Sequence, residues 1–423
     1  VIDHKSIRYD INPLSANAHR TEETCRIPMS IKLSSRVQAV KPSPTLAVTA
    51  RAAELRAAGQ DVIGLGAGEP DFDTPEHIKE AARKALAEGK TKYTAVDGTP
   101  GLKQAVIEKF RRDNGFDYAP EQILVSCGGK QSFYNLAQAI LDPGDEVIIP
   151  APYWVSYPDM SILAGGVPVL VHAGAEQHFK VTPAQLRGAL TEKSRLVVIN
   201  SPSNPTGMAY TANELAELGE VLRDYPKVVI ATDDMYEHIR WNTDEPFVNI
   251  LNACPDLANR TLVLNGVSKA YSMTGWRIGY AGGPAEVIKA MKKIQSQSTS
   301  NPTSISQYAA EAALNGPQDC IAEMLTQFKL RHDYVVERLN GMGGVECLPT
   351  DGTFYVFPSV KGLIDAIDGV NDDLQLAEHL IVNAGVALVP GTAFGLGGHV
   401  RISIATSMQN LENALDRIER VIA

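Results

Sequence analysis

The sequence predicts an α/β protein: a mostly parallel sheet covered by helices, followed by a smaller α+β unit. Three observations carry this reading. From about residue 76, helical periods alternate with short β-rich apolar runs, the rhythm of strands joined by helical crossovers. Past about residue 317 that rhythm gives way to a long amphipathic helix, two short β-rich segments and a terminal helix. Finally, 423 residues at 44% hydrophobic and 21% charged have the composition of a globular chain of two or three domains, with no stretch near the roughly 20 apolar residues of a membrane helix.

In chain order, residues 1–30 mix acidic and basic side chains without an apolar period and read as an N-terminal extension, non-native or disordered, with Met29 as a candidate start. Asp3, Asp10, Glu22 and Glu23 break the acid-poor pattern of a transit peptide. Residues 31–75 form an arm, helical and then rich in Gly and Pro, assigned in part to the small domain although it could pack on either unit. Residues 76–316 make the large domain. Its strands are expected at Ile123–Ser126, Glu146–Ile149, Leu196–Asn200, Val228–Thr232, Thr261–Leu264 and Arg277–Ala281. Between them, Phe133, Leu136, Ala137, Ile140 and Leu141 fall on one helical face, and Thr211 with Glu214 forms a capping box. Residues 317–423 make the small domain, with strands at Gly352–Phe357 and Val400–Ala405 and a last helix carrying Leu411, Leu415, Ile418 and Ile422.

Charge narrows the function. With 39 basic against 49 acidic residues the net charge is -10, which disfavours nucleic acid and anionic membranes as partners, so any anionic ligand needs a local cluster of cations. Five scattered cysteines, Cys25, Cys127, Cys254, Cys320 and Cys347, have neither zinc-site spacing nor the density of a disulfide scaffold. They read as reduced thiols in a cytoplasmic protein, with no metal. Nucleotide motifs are missing too: no G-x-x-x-x-G-K-[ST] occurs, and Gly64, Gly66 and Gly68 lead into Glu69-Pro70 instead of a helix.

Open parallel sheets bind ligands at the carboxyl ends of their strands, and five such ends here carry unusual polar residues. They are Cys127-Gly128-Gly129-Lys130, Pro152-Tyr153-Trp154, Asn204-Pro205-Thr206-Gly207, Asp233 with Tyr236, and Ser268-Lys269. Gly128-Gly129 before a helix exposes backbone N–H groups suited to a phosphate. A lysine drawn out of water, as Lys269 would be at an apolar strand end, becomes an amine able to condense with an aldehyde. Arg277, read as lying inside an apolar strand, calls for a fixed anion nearby.

Asn204-Pro205-x-Gly207, Asp233-x-x-Tyr236, Ser268-Lys269, Arg277 and the distant Arg401 together resemble the fold type I, pyridoxal-phosphate-dependent class I aminotransferases over roughly residues 31–423. Ala67-Gly68-Glu69-Pro70-Asp71-Phe72, Thr91-Lys92-Tyr93, Gly128-Gly129-Lys130-Gln131, Pro152-Tyr153-Trp154 and Met273-Thr274-Gly275-Trp276-Arg277 are similar to the bacterial aspartate branch, including members that accept prephenate. The resemblance implies that Lys269 holds pyridoxal 5'-phosphate covalently and shuttles the substrate proton. Asp233 would pair with the ring nitrogen, Tyr236 and Asn204 with the ring oxygen, and Trp154 with the ring face. Gly128, Gly129 and Arg277 would hold the phosphate, joined by Tyr93 from a second subunit, which implies a homodimer with shared active sites.

For substrate, the resemblance implies Arg401 with Gly68 and Asn204 on the α-carboxylate and Lys130 on the distal carboxylate of aspartate. Lys41, Thr45 and Lys92 would line the entrance. Gly266 stands where many relatives carry a phosphate-binding serine, and Asp234 where glutamate is common. The implied reaction is reversible amino transfer between L-aspartate and 2-oxoglutarate, giving oxaloacetate and L-glutamate, with prephenate as a further acceptor. Open alternatives are a transaminase for aromatic or kynurenine-type substrates, another enzyme of the same cofactor such as a lyase, and a cofactor-sensing regulatory module.

Overall fold

A computed structural model describes residues 31–422; the proposed extension at 1–30, with Met29 and Cys25, lies outside the described residues. The arm comes first. Helix α1 (Ser35–Ala39) is capped by Ser34 and buries no residue, whereas α2 (Pro44–Ala57), started by a proline whose fixed φ suits a first turn, buries Ala52 and Leu55. Strand β1 (Ile63–Gly64) follows.

Seven strands then build the main sheet: β2 (Ile123–Ser126), β3 (Glu146–Ala151), β4 (Val167–His172), β5 (Ser194–Asn200), β6 (Val229–Asp233), β7 (Thr261–Gly266) and β8 (Gly279–Gly282). Their spatial order is β2-β8-β7-β6-β5-β3-β4. Alternation drives the layering, because successive side chains on a strand point to opposite faces. In β5, Leu196 and Val198 join one helix-covered cluster with Phe133 and Leu136, while Val197 and Ile199 join another with Leu215 and Leu222. Both faces being apolar, the inner strands read as continuous hydrophobic runs. The helix predicted around Phe133 spans Gly129–Ile140, and Thr211 caps Ala212–Arg223 with its hydroxyl accepting from the Glu214 N–H.

Strands β3, β5, β6 and β7 are mutually parallel, but β8 runs antiparallel to both β7 and β2. What reaches the shared edge beside β7 is therefore the turn before β8. Arg277 sits in that turn with φ +57°, exposed, so the reading of it as a buried strand residue is corrected. Edge strand β4 was not expected; Pro168 obscures its alternation, and an edge position is where a strand proline is tolerated.

In the C-terminal part the long helix spans Asp319–Asn340 and the last one Met408–Ile422. The small strands are β9 (Tyr355–Val356), β10 (Val386–Ala387), β11 (Val389–Pro390) and β12 (Val400–Ser403). The strand expected from Gly352 is shorter because the Gly352 and Thr353 N–H groups donate to the carbonyls of Gly207 and Ile239. Helices Lys361–Ala366 and Asp373–Asn383 were not anticipated. The arm joins this part: β1 pairs in parallel with β10, and Ala52, Leu55 and Val62 pack on Ile381 and Ala387.

Candidate active site

The sheet edge is built from glycine outward. Gly128, at φ +84°, turns β2 into the helix Gly129–Ile140, and a Cβ there would lie 2.5 Å from Arg277 Nη2. A Cβ on Gly279 would lie 2.3 Å from the Gly129 nitrogen. Two bare backbones thus let the helix start, β8 and the Arg277 guanidinium crowd one corner. Arg277 donates to the carbonyls of Thr274 (3.0 Å) and Cys127 (3.4 Å). Gly266 borders the same corner, where a Cβ would meet the Ile278 carbonyl at 3.0 Å and Gly279 Cα at 3.1 Å, so a serine has little room.

Asp233 ends β6. Its Oδ2 accepts from the Tyr157 hydroxyl, its Oδ1 from the Met235 N–H (3.3 Å), and its carbonyl from Asn200 Nδ2 (2.9 Å). Burial raises the Asp233 pKa while the Tyr157 and Met235 bonds and the Lys269 charge oppose that shift. Tyr157 is buried on the helix Ser156–Leu163, tilted on Phe133 at 4.9 Å and edge-on to Trp154 at 5.2 Å.

Lys269 follows β7, its Nζ donating to the Gly68 carbonyl at 2.5 Å. Burial, then the Arg401 charge, lowers its pKa to about 8 against the pull of Glu69 and Asp233. Arg401, buried in β12, donates to Asn204 Oδ1 (2.9 Å) and the Gly66 carbonyl (2.8 Å), and its Nε is buried without a partner. Its guanidinium lies 4.2 Å from the Tyr355 ring centre and 4.9 Å from that of Phe394. Tyr236 donates to the Tyr355 hydroxyl at 3.2 Å. Lys130 Nζ stands 5.3 Å over the Trp154 ring, its pKa lowered by burial and by Arg277.

One cavity of about 480 Å³ gathers Gly68, Gly129, Lys130, Trp154 and Asn204 with Asp233, Tyr236, Lys269, Arg277 and Arg401. Gly128 lies against Arg277 at its margin. Thr45, with Ser43, Leu46 and Thr49, forms an outer wall. Lys41, Lys92 and Tyr93 are exposed and do not line the cavity, and Tyr93 is 91% exposed. Sequence reasoning missed Tyr157, Tyr355 and Asn200. Tyr157 was legible only as the third residue after Trp154, just inside the helix Ser156–Leu163, and Tyr355 only through pairing of β9 with β12, which brings it beside Arg401.

Lys130, Lys269, Arg277 and Arg401 face this cavity with no salt bridge among the described residues, against the carboxylates of Asp233 and Glu69. In a chain of net charge -10 this is the local cation cluster that an anionic ligand requires. Fold and edge together are those of the fold type I pyridoxal-phosphate enzymes, and solved structures agree. An aspartate aminotransferase from Rhizobium meliloti superposes with a TM-score of 0.90 at 49% identity, covering 93% of this chain and 99% of its own. One from Thermus thermophilus with maleate gives 0.87 at 46%, covering 93% and 100%.

The chain belongs to the aminotransferase class I and II family, whose family model matches residues 60–418. Among curated relatives, the aspartate/prephenate aminotransferase of Nitrosomonas europaea is 58% identical over 93% of this chain and all of its own length. The aspartate aminotransferase of Geobacillus stearothermophilus is 51% identical over 92% and 98%. The family uses pyridoxal 5'-phosphate, and the residues here fit it. There is an amine of lowered pKa for an aldehyde, a glycine-lined corner with a guanidinium for a phosphate, a buried carboxylate and an aromatic face.

Proposed function

We propose that this enzyme transfers the amino group reversibly between L-aspartate and 2-oxoglutarate, giving oxaloacetate and L-glutamate, with prephenate as a second acceptor. The carrying observation is that two cations without ion-pair partners among the described residues, Arg401 and Lys130, share the cavity with Lys269, one for each carboxylate of a dicarboxylic substrate. The Thermus relative, solved with the dicarboxylate maleate, supports that reading.

When bound, pyridoxal 5'-phosphate supplies a ring that accepts the electrons left as the substrate α-proton departs. Lys269 would hold it, and its Nζ would take that proton and give it up again, work typically worth about 10²- to 10⁴-fold. A pKa near 8 keeps an appreciable neutral fraction of Lys269 close to neutral pH. Asp233, steadied by Tyr157 and Met235, would hold the proton of the ring nitrogen. Tyr236 and Asn204 would bind the ring oxygen, Trp154 would take the ring face, and Gly128, Gly129 and Arg277 would hold the phosphate. Arg401 orients the α-carboxylate with Gly68 and Asn204, its unpartnered Nε being a free donor. Lys130 reads the distal carboxylate, and Lys41 stands at the entrance.

The same reading includes a homodimer in which the partner subunit's Tyr93 reaches the phosphate; the nearly complete exposure of Tyr93 in one chain supports it. It divides the chain into a large unit at 76–316 and a small unit at 317–423 with the arm 31–75, and places the protein in the cytoplasm. Among the described residues no helix is long and apolar enough to cross a membrane. The test is a substrate panel read by oxaloacetate release, repeated with Lys130→Ala. Loss of one charge-assisted contact raises KM for aspartate about 10- to 100-fold and leaves neutral amino acids unchanged. Equal losses on both would reject the dicarboxylate assignment.

A further inference from the structure

Behind the strand ends that carry Asp233 and Lys269 lies a buried polar cluster with no part in the chemistry above. Glu237, one residue past Tyr236, pairs with Lys109 Nζ; they are 4% and 0% exposed. Glu237 Oε2 accepts from Asn114 Nδ2 at 2.8 Å and Oε1 from Asn265 Nδ2 at 2.7 Å. Lys109 donates in turn to Asn114 Oδ1 at 2.7 Å, closing a ring. Asn265 Oδ1 accepts the Gly266 N–H at 2.7 Å, and Lys269 is three residues beyond.

Stability is a poor reason for such a cluster. Taking an ammonium and a carboxylate out of water is costly, and apolar residues of similar volume often do as well or better. What the cluster does supply is direction. Its bonds are directional, and together they tie three chain segments: residues 109–114 at and beyond the end of the helix Pro100–Lys109, Glu237 in the stretch that follows β6, and Asn265–Gly266 at the end of β7. Backbone bonds from Asp234 N–H to the Leu264 carbonyl and from Glu237 N–H to the Asp234 carbonyl run alongside. Burial opposes ionisation of Glu237, but the Lys109 charge, His238 and the Asn114 bond hold its pKa below the usual range.

A second cavity, about 390 Å³, touches the outer end of this cluster at Asp113, Glu237 and His238. His238 Nε2 meets Asp113 at 3.1 Å, and its Nδ1 lies 3.6 Å from Glu237. The three could surround a cation, but the oxygens of Glu237 are already engaged by Lys109, Asn114 and Asn265, and we assign no ion there.

We propose that the Lys109–Glu237 pair, acting through Asn265, is a positioning device that fixes Lys269 relative to Asp233 and Tyr236. It rests on the aminotransferase reading of the site. The closing experiment uses Asn265→Ala, which cuts the link and leaves the ion pair whole, and Lys109→Met/Glu237→Gln, which removes both charges together. Three quantities are measured besides turnover: the thermal midpoint, the apo-protein affinity for pyridoxal 5'-phosphate by absorbance titration, and the pH midpoint of the bound chromophore.

In Asn265→Ala we expect kcat to fall by about tenfold or more, short of the roughly 10²-fold cost of a 1 Å misplacement, with KM for aspartate within about threefold. The chromophore midpoint should move by about half a pH unit or more, with the thermal midpoint kept within a few degrees. A folded variant of either kind with unchanged kcat, cofactor affinity and chromophore midpoint would overturn the proposal, and so would failure of both variants to fold, which leaves only a structural role. The parent enzyme is the control. If it releases no oxaloacetate, the substrate reading fails, while the chromophore comparison still decides the positioning claim.

Discussion

The inner wall of the cavity and its outer wall differ in how they are held. On the inner wall, Asp233, Lys269 and Arg401 lie in or just beyond buried strands, and the Asp233 carboxylate, the Lys269 amine and the Arg401 guanidinium each have a named partner. On the outer wall, Ser43, Thr45, Leu46 and Thr49 belong to the start of α2 and its approach, behind an α1 that buries nothing, with Leu46 69% exposed. Groups that act on a proton need fixed geometry, whereas a wall that substrate must pass needs low local stability. On the proposed reading, chemistry falls on buried strand ends and access on the arm.

The largest test of this contrast is Lys269→Ala, expected to lower kcat by about 10²- to 10⁴-fold with folding intact, as read by steady-state turnover and circular dichroism. Next, Arg401→Lys keeps the charge and loses the planar fork, so KM for aspartate should rise about 10- to 100-fold with a smaller change in kcat. A fall in kcat alone would move Arg401 from binding to chemistry. Tyr157→Phe removes a donor that lowers the Asp233 pKa. That pKa should rise, and the acid limb of the pH–rate profile should shift to higher pH.

The titration of Lys269 itself gives a finer test. Only the neutral amine attacks an aldehyde, so capture of pyridoxal 5'-phosphate by the apo-protein should accelerate with rising pH and level off above about 8, not above the ordinary 10.5. A midpoint near 10.5 in stopped-flow absorbance would mean that burial and Arg401 do not act on it. The smallest effect belongs to the arm: Arg51, in α2, meets Glu378 at 3.5 Å with both side chains about half exposed. Arg51→Ala should change stability by less than about 0.5 kcal/mol in a denaturant titration. A larger loss would show the arm to be more firmly anchored than its burial implies.

The inner wall was largely legible before the structure, and the outer wall was not. Asp233, Asn204 and Lys269 follow apolar runs whose two-sided burial makes strands easy to read, so their place at one edge followed from topology alone. Arg277 reached that edge for another reason: β8 runs backwards, and no local pattern announces the direction of a four-residue strand. Tyr157 and Tyr355 carry no motif; their roles arise from pairings across 76 and 119 residues of sequence. The arm could have packed on either unit; the two-residue β1–β10 ladder and the packing of Ala52, Leu55 and Val62 on Ile381 and Ala387 join it to the small one, a match too short for any periodicity to reveal. The cluster around Lys109 was equally hidden, because a lysine in a helix reads as solvent-facing until its surroundings are known.

The crowded glycine corner has a consequence for solution conditions. Since position 266 leaves little room for a hydroxyl, an anion settling beside Gly128 and Gly129 depends more heavily on the charge of one solvent-exposed guanidinium and on backbone dipoles. Charge that faces water is weakened by mobile ions within a Debye length of about 10 Å at 0.1 M salt. Retention of a phosphorylated ligand should therefore decline as ionic strength rises, more steeply than in a relative with a serine hydroxyl at that place.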